Sequence, residues 1–196
     1  MTDFSKKSQT VKYFDSIMDE LRASKVKAIF SLSAPFWNQH RGFRSYSTDT
    51  EVYVMLENGL CLIITYYFVD ALDIEFRRLT AEEETEYGKM LIKDFFNSVD
   101  DIYDFYANKI KRVETCALGY DYISSISLRS VTDKYNKWID NDVDYVSPTE
   151  ETFDEIKFIM SNGKSFVICA DDAEVDGYAL VWSEDTEETI TEISED

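Results

Sequence analysis

The chain has 196 residues, 44% hydrophobic and 15% aromatic, enough to bury one sizeable core or two small ones, and wholesale disorder is excluded. Its formal charge is −19 at neutral pH, a field that repels nucleic acid and anionic lipid and attracts basic proteins. Uncharged stretches such as "NGLCLIITYYFV", Asn58 to Val69, fall short of the ~20 apolar residues that cross a bilayer, so no transmembrane helix is expected.

The opening "MTDFSKKSQTVKYFDS" carries Asp3 and has no apolar run after its lysines. It does not read as a secretory signal, and a cytoplasmic chain is expected. Val11, Phe14, Ile17, Met18 and Leu21 then recur at spacings of three and four, which predicts an amphipathic helix of about 14 residues. A strand begins at Ile29, and Ala34-Pro35 suits the first turn of a short helix.

The segment "APFWNQHRGFRSYSTDT" is a basic island in an acidic chain, since His40, Arg41 and Arg44 meet no acid before Asp49. Such a group can hold a phosphate or carboxylate, or neutralise acids of its own fold. His40 is the only histidine, which rules out a multi-histidine metal or catalytic cluster.

Next comes "EVYVMLENGLCLIITYY", two apolar strands joined through Asn58-Gly59, a signal for a type I′ hairpin. The same plan recurs 104 residues later in "EIKFIMSNGKSFVICAD" around Asn162-Gly163. "VDALDIEF", Val69 to Phe76, matches "VDGYALVW", Val175 to Trp182, with two extra residues in the preceding turn. Upstream, "IFSL" from Ile29 resembles "SISL" from Ser125.

Between the two copies a helix is predicted from Thr80, which has capping-box spacing to Glu83, through Tyr87, Leu91 and Phe95. Another is predicted after Ser98 along Ile102, Tyr106 and Ile110, and a short one after Ser130. The expected fold is α+β, with internally duplicated units of a helix on a four-stranded antiparallel sheet, closely packed. The first repeat spans 1–79, the helical connection and second repeat 80–182, and a solvated acidic tail 183–196. This layout is similar to that of cystatin-like and NTF2-like folds, with no shared motif behind the similarity.

"DDAEVDG", Asp171 to Gly177, imitates the start of a calcium loop. Counted from Asp172, however, position twelve is Ser183 rather than Glu, the flanks read as strands, and the matching segment of the first copy lacks the acids. A turn between strands is expected there, with no metal. Cys61, Cys116 and Cys169 have no paired spacing and read as reduced thiols.

The loop of the second copy that corresponds to the basic island has the opposite character, with Asp140, Asp142 and Asp144 following Trp138. No phosphate-cradling glycine loop, HExxH, GxSxG or zinc-type cysteine spacing occurs. The expectation is a non-enzymatic acidic module that engages a basic partner protein, as immunity proteins and inhibitors do, through Trp138, Asp140, Asp142 and Asp144. No cofactor, direct nucleic-acid contact or membrane contact is expected. The alternative is a small-molecule binder or enzyme with an anion pocket between helix and sheet, built from His40, Arg41 and Arg44.

Overall fold

The computed structural model describes residues 9–33, 36–40, 43–67, 71–90, 94–96, 102–105, 110–114, 118–130, 153–170, 179–185 and 188–192. Helix α1 (Gln9–Arg22) leads into strands β1 (Val26–Phe30), β2 (Phe36–His40), β3 (Phe43–Thr48), β4 (Val52–Leu56), β5 (Leu60–Tyr67) and β6 (Ala71–Arg78). Helix α2 (Ala81–Lys89) follows, then β7 (Ile102–Phe105), β8 (Ile110–Glu114), β9 (Ile123–Ser130), β10 (Phe153–Met160), β11 (Ser165–Ala170), β12 (Ala179–Trp182) and β13 (Glu188–Glu192). The architecture is α+β and dominated by antiparallel sheet. One sheet has the order β1-β4-β5-β6, a second β2-β3-β12-β11-β10-β9, and a third β13-β8-β7.

The first two sheets share one core. Phe14, Ile17 and Leu21, the predicted stripe of α1, pack there with Val52, Val54, Leu62 and Ile64 of one sheet and Ile156, Phe158, Phe166 and Ile168 of the other. Arg22 at the end of α1 donates from Nε to the Ser124 carbonyl at 3.1 Å, fastening the helix to β9. Each sheet also buries residues on its opposite face: Phe30, Tyr53, Met55, Cys61 and Ile63 in the first, and Val167, Cys169, Leu180 and Trp182 in the second. Strands covered on both sides are why these sequences run almost continuously apolar.

The ladders of these two sheets match residue for residue. Val52 stands opposite Ile64 in one and Ile156 opposite Ile168 in the other, each 104 positions on. Val26 faces Leu56 as Ile123 faces Met160, with a register shift next to each pair. Two of the sequence alignments move by one residue. The ladder equates Ile29 with Ile126, not Ser125, and Ile74 with Val181, not Leu180. A one-residue slip exchanges the faces of a strand, and Val181 lies in the shared core with Ile74 while Leu180 belongs to the opposite face. Helix α1 has no counterpart ahead of β9 among the described residues.

The Asn-Gly hairpins are real, but their turns are not type I′. Three residues lie between β4 and β5, with Gly59 N donating to the Leu56 carbonyl at 3.0 Å and Gly59 at φ 84°. In the second hairpin Met160 N donates to the Lys164 carbonyl at 2.9 Å, which leaves three residues in the loop, and Gly163 N donates to the Met160 carbonyl at 3.0 Å with the same φ. This is the three-residue hairpin loop that closes on a left-handed glycine.

Other elements differ from expectation. The segment after Pro35 is strand β2, because it finds a ladder partner in β3. Ile102 and Ile110 lie in strands β7 and β8, not in a helix. Spacings of four fit strand alternation as well as a helical face, and the β-branched and aromatic composition decides for strand. The helix from Thr80 ends at Lys89, and Phe95 lies in a turn beyond it. The acidic C-terminal segment contributes β13, which pairs with β8, so it is more than a solvated tail.

Candidate functional site

Among the described residues, the most connected group of ionisable side chains lies where α2 meets the outer face of the first sheet. Thr80 caps α2: its side chain accepts from Glu83 N at 3.2 Å, and Thr80 N donates back to Glu83 Oε2 at 2.6 Å, the capping box that the sequence predicts. Glu83 is thereby turned inward. Arg77 of β6 grips it with a fork, Nη1 to Oε2 at 2.7 Å and Nη2 to Oε1 at 3.0 Å, and Tyr53 Oη donates to Oε1 at 3.1 Å. Arg77 Nε also donates to Glu75 Oε2 at 2.6 Å. Below, Tyr87 of α2 packs on Phe30 with ring centroids 4.7 Å apart, and Phe30 stacks on Tyr53 at 5.2 Å.

The electrostatics follow from these contacts. The Arg77 guanidinium, with help from Thr80 and Tyr53, holds the Glu83 carboxyl down to about 2. Burial, reinforced by the Glu83 charge, raises the Tyr53 phenol and pushes the Cys61 thiol up to about 11. A buried thiol kept protonated is a poor nucleophile, so this group anchors a helix and has no activated nucleophile. The remaining acids point outward: Glu82, Glu84 and Glu86 of α2 and Asp73 and Glu75 of β6 are exposed. The outer side of the first sheet is therefore an acidic surface over an apolar, aromatic layer.

A second polar cluster joins the two sheets. Ser31 Oγ lies 2.8 Å from Thr48 Oγ1 and 2.7 Å from Thr50 Oγ1, while Ser33 Oγ lies 2.9 Å from Thr48 Oγ1. Thr50 Oγ1 donates to Ser33 Oγ at 3.0 Å, and Ser33 Oγ donates to Asp49 Oδ1 at 3.2 Å. Two backbone amides, Ser33 N and Thr50 N, close local turns on Ser31 and Thr48 at 3.3 Å each. These hydroxyls tie the end of β1 to the end of β3 at the point where the chain crosses between sheets. Nothing in the spacing of "SLS" and "STDT" foretells the cluster, because the two segments meet only through the crossing of the chain.

Of the residues singled out from the sequence, His40 and Arg44 lie on the backbone of the β2–β3 hairpin in successive register pairs, His40 opposite Phe43 and Arg44 opposite Gln39. Arg41 between them lies outside the described residues, as do Trp138, Asp140, Asp142, Asp144 and the "DDAEVDG" segment. Among the described residues, no group of three or more His, Cys, Asp or Glu side chains is placed to hold a metal ion. No helix is long and apolar enough to cross a membrane. The Arg77–Glu83 fork was missed in the sequence because it joins a strand to the helix that follows, a contact no single-element periodicity encodes. No protein-family model, curated protein or solved structure matches this chain.

Proposed function

We propose that the chain is a non-enzymatic acidic module that engages a basic partner protein, in the manner of an immunity protein or inhibitor, in the cytoplasm. The observation that carries this reading is the formal charge of −19 and pI near 4.3. The described ion pairs support it. Lys25, Arg77, Lys89 and Lys157 are engaged by Asp121, Glu75 and Glu83, Glu86, and Glu184, so these cations serve the fold while Glu82, Glu84, Asp73 and Glu57 face outward. Complementary fields speed encounter and disfavour wrong partners. Trp138, Asp140, Asp142 and Asp144 are proposed as part of the partner surface, with no direct contact to nucleic acid.

The matched ladders also support, as a proposal, that the two four-strand runs are copies of one unit. Divergence of the loops between their first and second strands, one basic and one acidic, fits surfaces that specialised on a retained core.

Capture from native lysate at low and at moderate salt tests the function. Recovery of a basic protein that is lost as salt rises supports it, and recovery of none at either salt overturns it. A second reading is favoured by one observation, the placement of His40 and Arg44 about the same turn: an anion site of His40, Arg41 and Arg44 on a small-molecule-binding protein or enzyme. Phosphate- or carboxylate-dependent thermal stabilisation that disappears on replacing both arginines would favour it.

A further inference from the structure

Among the described strands, β6 is an edge of the first sheet, paired on one side with β5 over eight register positions, Leu60 opposite Arg78 through Tyr67 opposite Ala71. The position equivalent to β6 in the second sheet is β12, and there the same edge is occupied. Strand β3 runs antiparallel along β12, with Tyr46 opposite Val181 and Ser45 opposite Trp182. Val181 is the ladder equivalent of Ile74, and Tyr46 opposite it is 2% exposed within the shared core. An edge of this geometry thus accepts an extra strand in this very molecule, and it takes an aromatic residue at that position.

We propose that β6 is a docking edge for an extended basic segment of the partner protein, which adds to the sheet as an antiparallel strand. This rests on the basic-partner reading above and gives it a place and a sequence preference. Successive residues of β6 alternate in character. Ile74 and Phe76 are half-buried against the core, whereas Asp73 and Glu75 are exposed on the side that also bears α2. Arg77, on that same side, is neutralised by Glu75 and Glu83. An incoming strand then meets Ile74, Phe76 and the exposed Arg78 on one face and the acids Asp73 and Glu75 on the other. The matching segment alternates Lys or Arg with Val, Leu or Tyr. Backbone bonds supply affinity and the alternate side chains supply specificity. The charges on β6 also guard the edge against indiscriminate pairing with apolar strands.

The test uses the full chain and a fluorescent eight-residue peptide of alternating lysine and valine, with two further versions N-methylated at one or the other alternate set of backbone amides. By fluorescence anisotropy at low salt, the parent peptide is expected to bind about tenfold more tightly than one methylated version, because only one set of amides faces the ladder. Asp73→Lys with Glu75→Lys should weaken it by about tenfold, and peptide binding should slow hydrogen exchange over residues 71–78. Asp73→Lys alone, which leaves the Glu75–Arg77 pair intact, serves if the double variant fails to fold. Equal binding of all three peptides, unchanged by Asp73→Lys, would place basic ligands elsewhere and overturn the docking edge while leaving the basic-partner reading in force. Absence of binding by any of them at low salt would remove both. Exchange protection, in the free chain, of the alternate β6 amides that do not bond β5 overturns the proposal too: if independent of concentration, the edge is filled by the chain itself, and if rising with concentration, by a second copy.

Discussion

Lys25 and Tyr122 stand at equivalent positions ahead of the first and second sheets, and they bridge to each other across the molecule. The Lys25 carbonyl accepts from Glu57 N at 2.9 Å, and the Tyr122 carbonyl accepts from Ser161 N at 2.8 Å, the same bond in each half. Val26 N donates to the Asp121 carbonyl at 3.1 Å, and the Lys25 ammonium lies 5.4 Å from the Tyr122 ring centroid. The sheets are therefore joined by backbone at this end and by the shared core along their length. They should unfold together: hydrogen exchange of β5 and β11 in rising urea is expected to report one midpoint, and two separated midpoints would show independent units.

The cation over the ring adds a small side-chain contribution to this junction. Tyr122 is 41% exposed, so its replacement by Ala should cost only about 0.5–1 kcal/mol. Lys25→Met should cost a similar or smaller amount. In a double-mutant cycle by urea denaturation the two losses should fall short of additivity, and strict additivity would mean that ring and ammonium do not interact.

Glu83 gives the fold an acid-sensitive fastening. Its folded carboxyl sits near 2 against an ordinary value of 4.5, so between those values the unfolded chain binds more protons than the folded one. Its stabilising contribution is fully present above about 4.5 and is lost as pH falls through that window toward 2. Glu83→Gln should cost about 1–2 kcal/mol at neutral pH, by weakening the bonds to Arg77, and should flatten the stability profile between pH 4.5 and 2. Denaturation at several pH values checks this. A variant that keeps the wild-type slope there would assign the acid sensitivity to other carboxyls.

Cys61 is fully buried, and its thiol is pushed up to about 11, so it is both inaccessible and protonated at pH 8. A thiol–disulfide reagent should leave it unmodified in the native chain and react once urea unfolds it. Tyr87→Ala, which removes the ring packed on Phe30, should raise the native-state labelling rate by loosening α2 over the layer that contains Cys61. Rapid labelling of wild-type Cys61 would show that this layer opens readily.

Periodicity and turn chemistry were legible where one element decides its own form. The α1 stripe, the strands about both Asn-Gly pairs and the Thr80–Glu83 cap follow from spacing alone. What escaped is tertiary. Strand β2 exists because β3 pairs with it, and β3 crosses to the second sheet because β12 offers an edge, a choice not encoded in "FRSYST". The apolar residues 102 and 110 have a spacing compatible with helix and strand alike, and the partner β13 lies some eighty residues later in a segment whose seven acids suggest solvent. The candidate site divides in the same way, with the cap readable and the Arg77 fork created only when β6 and α2 meet.

Gly59 and Gly163 offer a paired test of the matched hairpins. Both hold φ at 84°, a left-handed conformation in which a Cβ costs about 1 kcal/mol, so Ala at either position should lower stability by about that amount. Their surroundings differ. A Cβ on Gly163 meets nothing within 4 Å, whereas one on Gly59 comes to 2.6 Å from Arg78 Nη1. Because that atom ends a flexible, exposed side chain, it can swing aside, and the two losses should agree within about 0.5 kcal/mol. Asn tolerates this region better than Ala, so Gly163→Asn should recover part of the loss. Urea midpoints of the three variants decide: an Ala at Gly163 that costs nothing would mean that the second hairpin does not hold the left-handed glycine, and with it the register match to the first would fail.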